Sequence, residues 1–139
     1  MTRCLLPALV LGLAFFLSQP TVAAPVYADE TIKLPCGHAI KVLSVSRIEY
    51  SKGVMALLVR YQTKLSPEQR KALSDEVDDV FKIAQKQVEH DGFHEAIISS
   101  NQVLHGIILT SNRTLNFIFE RGSDGTWTRI GRSEFMAVQ

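Results

Sequence analysis

The sequence predicts an α+β domain: one long amphipathic helix packed on a bent, mainly antiparallel sheet, in the order β-β-β-α-β-β-β-β. Three observations lead there. The segment from Ser66 to about His90 carries helical hydrophobic periodicity, the segments on either side alternate with the period of strands, and the turns after the helix are too short to join anything but antiparallel neighbours. A single helix beside many strands has to bury its apolar stripe against the sheet.

Taken in order, Thr31 to Leu34 and His38 to Tyr50 read as strands joined by Leu34-Pro35-Cys36-Gly37. Proline presets φ at the second position of the turn, and glycine accepts the left-handed conformation that closes a three-residue loop. Cys36 then stands where Asp or Asn often stands. Ser51-Lys52-Gly53 separates the second strand from Val54 to Thr63, in which Val54-Met55-Ala56-Leu57-Leu58-Val59 is apolar at both parities, as for a strand central in its sheet.

Ser66-Pro67-Glu68-Gln69 has the form of a helix start: serine at the N-cap, proline at the first helical position, and Gln69 spaced to close a capping box. Leu73, Val77, Val80, Phe81, Ala84 and Val88 gather on one stripe, and charged residues fill most of the remainder. Asp75, Glu76, Asp78 and Asp79, with Lys71, Lys82 and Lys86 nearby, read as a solvated face. The helix should stop near His90 or Asp91 with Gly92 just past its end, a rod of about 36 Å. Beyond it, Glu95 to Ser99, Val103 to Thr110, Thr114 to Arg121 and Thr126 to Ile130 read as strands. Ser100-Asn101-Gln102, Ser111-Asn112-Arg113 and Gly122-Ser123-Asp124-Gly125 read as the turns between them.

The first residues set the expected location. MTRCLLPALVLGLAFFLSQPTVAAPVYA combines Arg3, an apolar run from Cys4 to Leu17 and a small-residue segment, which is the pattern of a secretory signal peptide. The run is shorter than the roughly 20 residues a bilayer span needs, so no permanent membrane span is expected after its removal. Cleavage fits after Ala28 or after Ala23. The preferred division is residues 1–28 as signal peptide and 29–139 as a single domain, secreted or periplasmic. The formal charge of the whole chain is +1. Losing Arg3 with the leader balances acids and bases, which argues against a nucleic-acid partner. Cys4 leaves too, so Cys36 has no intramolecular partner. A small exported domain without a disulfide fits a bacterial source better than an animal one.

Candidate chemistry is sparse. Cys36 at a hairpin tip, two residues from His38, could be a reactive thiol if the imidazole stabilises the thiolate, although His38 shares side-chain parity with Ile40 and Val42 and so leans towards the core. Glu89-His90-Asp91-Gly92-Phe93-His94-Glu95 holds donor types that bind zinc or copper. Its two histidines face together only on a continuous helix, which Gly92 interrupts. No G-x-S-x-G serine or glycine-rich phosphate loop is present, and no catalytic residue is assigned.

Trp127 depends on loop parity. A two-residue Asp124-Gly125 turn puts it on the sheet face of Ile118, where the two would seed an apolar partner patch. A three-residue Ser123-Asp124-Gly125 loop puts it with Leu115, Phe117 and Phe119 in the core.

The expectation is therefore a small exported, non-enzymatic binding module without cofactor, taking a protein, peptide or small apolar ligand, with Trp127 and Ile118 as candidate contacts. The alternative is a periplasmic thiol or transition-metal protein using Cys36, His38, His90 and His94.

Overall fold

The computed structural model describes residues 28–105 and 110–138; the expected signal peptide and its possible cut after Ala23 lie outside them. One helix packs on a six-stranded mixed sheet whose strands lie in chain order. The elements are β1 (Thr31–Lys33), β2 (Ala39–Ser51), β3 (Val54–Thr63), α1 (Arg70–His90), β4 (Glu95–His105), β5 (Thr110–Arg121) and β6 (Trp127–Val138). Neighbouring strands are antiparallel except β3 and β4, which run parallel because α1 carries the chain back across the sheet between them.

The sheet has one strand fewer than the expected order. Ser100, Asn101 and Gln102 do not turn: β4 runs straight through them, pairing with Tyr61 to Thr63 of β3 on one side and Leu115 to Arg113 of β5 on the other. Their polar composition imitates a loop, but hydrogen-bonding partners on both flanks hold them extended. Ser111, Asn112 and Arg113 likewise belong to β5. The last strand continues far past Ile130, to Val138.

Local signals hold at several ends. The β1–β2 connection closes with the Gly37 N–H donating to the Leu34 carbonyl at 2.9 Å and the Leu34 N–H to the His38 carbonyl at 2.8 Å, with Gly37 at φ 92°. At the helix end Gly92 has φ 75° and donates to Glu89 O, while Phe93 N–H reaches back to Val88 O, the paired bonds of a Schellman motif. The helix start differs from expectation. The Gln69 side chain does accept the Ser66 N–H at 2.9 Å, yet residues 66–69 form only a turn, and α1 begins at Arg70 with Gln69 as its N-cap.

The core lies between α1 and one sheet face. Leu73, Val77, Val80, Phe81, Ala84 and Val88 meet Val42, Leu57, Val59, Ile98, Leu115, Phe117 and Phe119. Phe81 and Phe119 stack at 4.0 Å between centroids. At about 100° per residue, Glu76, Asp79 and Ile83 flank this stripe on the side of the β1–β2 hairpin, and Arg70, Ser74, Asp78 and Gln85 flank it on the side of β5 and β6. Among the described residues no helix is long and apolar enough to cross a membrane.

Candidate functional site

The acidic face expected to be solvated is split. Asp75 is exposed and Asp78 half-buried, but Glu76 is only 2% exposed and Asp79 8%. Their burial follows from position. Glu76 is three residues after Leu73 and four before Val80, so it falls beside the apolar stripe and under the β1–β2 hairpin. That spacing was visible in the sequence; the lysines around it masked the signal.

The hairpin brings Cys36 and His38 to these two acids. His38 keeps the parity of Ile40 and Val42, so its ring turns towards α1, where Nδ1 lies 2.8 Å from Glu76 Oε2. The Cys36 backbone N–H donates to Asp79 Oδ2 at 2.9 Å. Burial would raise the Asp79 carboxyl, but the Cys36 backbone N–H, the Cys36 thiol and the Lys82 ammonium together hold it below the usual range. The thiol moves the other way. Partial burial, the hydrogen bond to Asp79 and the negative charge of Asp79 and Glu76 push it up, against a backbone hydrogen bond at His38 that lowers it. Cys36 is thus an exposed residue whose thiolate is disfavoured by its neighbours, the reverse of the environment that activates a thiol.

The second Glu76 oxygen, Oε1, is buried without a hydrogen-bond partner. So is the hydroxyl of Tyr61, which is 0% exposed. Burial, reinforced by the Glu76 charge, drives the Tyr61 phenol far above its ordinary range, so it remains a donor. It feels both Glu76 and Ser100, yet neither stands in hydrogen-bonding geometry to it; Ser100 Oγ donates instead to the Leu115 carbonyl at 3.3 Å. Glu76 forms one wall of a cavity of about 260 Å³ completed by His38, Ala39, Lys64 and Leu65. The arrangement offers a carboxylate with unused acceptor capacity, a histidine ring over it, and a lysine on the same cavity wall.

The other expected residues lie elsewhere. His90 is the last residue of α1, about 21 Å along the axis from Glu76 at 1.5 Å per residue, and its Nδ1 is 3.3 Å from Asp91. His94 follows the helix just before β4. Cys36 and His38 therefore do not converge with His90 and His94. Among the described residues no group of three or more His, Cys, Asp or Glu is placed to hold a metal ion.

Trp127 takes the three-residue loop. Gly122 N–H bonds to the Thr126 carbonyl at 2.8 Å, Trp127 pairs with Arg121, and the indole falls on the helix side of the sheet. It meets Phe81 edge-on at 5.3 Å and donates through Nε1 to Glu89 Oε1 at 2.9 Å. Ile118, of the other parity, faces the opposite side, so the two do not form one patch. No protein-family model, curated protein or solved structure is significantly similar to the chain.

Proposed function

We propose that the chain is an exported, secreted or periplasmic, non-enzymatic binding module, and that its ligand enters the cavity between the start of β2 and α1. The observation that carries this reading is the buried Glu76 carboxylate with Oε1 unpaired. A buried acceptor without a partner costs about 1–3 kcal/mol, and a ligand donor recovers that cost. The torsion that turns a carboxyl plane is soft, so a donor arriving in the cavity can be met by Glu76 without disturbing the helix. Ala39 and Leu65 supply apolar wall, and Lys64 supplies a cation suited to an acceptor at the other end of the ligand. The ligand class is thus a small molecule, or the end of a peptide, with an ammonium or amide donor inward and a carboxylate or carbonyl outward. Among the described residues the thiol nearest the cavity, Cys36, is pushed away from its reactive thiolate form by burial and by the Asp79 and Glu76 charges, which favours binding over catalysis.

The test is a titration of the ¹⁵N-labelled chain with ethylammonium, propionate and β-alanine at constant ionic strength. Saturable shifts of Ala39, Leu65 and the His38 ring with ethylammonium and β-alanine, lost in Glu76→Gln, are expected. Shifts that persist unchanged in Glu76→Gln refute the assignment.

A further inference from the structure

A second cavity lies on the other flank of α1, and its chemistry is the opposite of the first. It is lined by Arg70, Ser74, Phe117, Arg129, Ile130, Gly131 and Arg132, with a volume of about 410 Å³. Three guanidinium groups on one small cleft need an explanation, because β6 alone should not deliver two of them. Arg129 and Arg132 are three residues apart, and in a regular strand such residues point to opposite faces.

A β-bulge overrides the alternation. Phe119 pairs with Arg129, but Ile118 pairs with Gly131, leaving Ile130 as the extra residue. Arg132 consequently pairs with Phe117, and both arginines stand opposite the helix-facing phenylalanines of β5. Re-aiming a side chain in this way is a recurrent use of bulges. The displaced Ile130 is 53% exposed at the cleft.

The three arginines are not equivalent. Arg129 is fixed: Nη1 donates to Asp78 Oδ1 at 3.2 Å, Nη2 to Ser74 Oγ at 2.8 Å, and its Cζ lies 5.8 Å from the Phe117 ring centroid. Its charge is matched by Asp78. Arg70 and Arg132 make no hydrogen bond or ion pair with any described residue. Two unmatched cations therefore share a concave surface with an aromatic floor. Guanidinium presents paired N–H donors in the plane that phosphate and carboxylate oxygens accept.

We propose that this cleft is an oxyanion site, in which Arg70 and Arg132 take the phosphate or carboxylate of a small organic anion and Phe117 and Ile130 take its apolar portion. It is separate from the Glu76 cavity and stands whether or not that cavity binds a ligand.

The experiment is a titration of the ¹⁵N-labelled full chain with phenyl phosphate, benzoate and, as the neutral counterpart, benzyl alcohol, at constant ionic strength in chloride. Saturable shifts at the Phe117, Gly131 and Arg132 amides and at the Arg70 and Arg132 Nε–H signals are expected with one or both anions and not with the alcohol. Binding by phenyl phosphate alone identifies a phosphate ester; binding by both identifies an oxyanion more generally. Arg70→Gln with Arg132→Gln should weaken binding by about tenfold or more. Arg60→Gln, which removes an exposed charge on the other sheet face, should change it by less than about twofold. An equal loss in Arg60→Gln, or shifts that do not saturate, overturns the proposal. Retained amide dispersion in each variant shows that the fold is intact.

Discussion

His38 Nδ1 and Glu76 Oε2 lie 2.8 Å apart although 38 residues separate them in the chain. This contact ties the first hairpin to the second turn of the helix, while the other Glu76 oxygen and the Tyr61 hydroxyl lie buried outside hydrogen-bonding geometry. The pair therefore has a stability signature that differs from an ordinary satisfied network.

Tyr61→Phe removes a hydroxyl that has no partner, so it should leave stability within about 0.5 kcal/mol or raise it, whereas losing a made hydrogen bond costs about 0.5–1.5 kcal/mol. His38→Ala removes the group that pairs with Glu76 Oε2 at 2.8 Å and should cost about 1–3 kcal/mol. Urea unfolding of both variants at pH 7 checks the contrast. A larger loss in Tyr61→Phe than in His38→Ala contradicts the geometry.

Asp79 contributes in a defined pH window. Its carboxyl is depressed in the folded chain despite its burial, so the stabilisation is fully present above the ordinary carboxylate range and is lost as pH falls through the folded value. Asp79→Asn should destabilise by about 1.5–3 kcal/mol at pH 7, and the difference from wild type should narrow below about pH 4. The same substitution takes one carboxylate away from the Cys36 thiol. Iodoacetamide should then alkylate Cys36 faster in Asp79→Asn than in wild type at pH 8, measured by intact mass.

Glu95 and Glu120 are directly opposed across β4 and β5. Burial first, then the charge of Glu120, raises the Glu95 carboxyl. The protonated form suits the fold, so the favourable contribution is present in acid and lost as pH rises through the raised value. Glu95→Gln should gain about 0.2–1 kcal/mol at pH 7, and the gain should fade below about pH 4.5. Thermal unfolding across pH 3–8 measures it.

Phe81 supports two aromatic contacts, stacked on Phe119 and edge-on to Trp127. Phe81→Ala should cost about 3–5 kcal/mol and shift Trp127 emission to the red as the indole becomes wetter. Trp127→Phe keeps the packing but removes the indole N–H that donates to Glu89 Oε1 at 2.9 Å, and should cost about 1 kcal/mol.

Much of the frame was legible wherever one local signal decided the outcome. The left-handed glycines at 37 and 92, the apolar β3 and the helix stripe all rest on backbone preference or periodicity, which neighbours in sequence report. The hidden part depends on partners distant in the chain. Ser100, Asn101 and Gln102 look like a turn until β3 and β5 are known to flank them. Glu76 and Asp79 look like surface until the Cys36–His38 hairpin covers them. The Arg129 and Arg132 cleft exists because of a register shift opposite Ile118, and no composition rule announces that shift.

The parallel seam between β3 and β4 divides the sheet into two sets of antiparallel strands consecutive in the chain, β1 to β3 and β4 to β6. Joining them requires the entropy of closing the whole helical crossover to be met first. Amides that hydrogen-bond across the β3–β4 seam should therefore gain deuterium-exchange protection later in refolding than the amides that pair β2 with β3 or β5 with β6. A cut in the 64–69 linker would then leave two fragments that reassociate through α1 rather than one crippled chain.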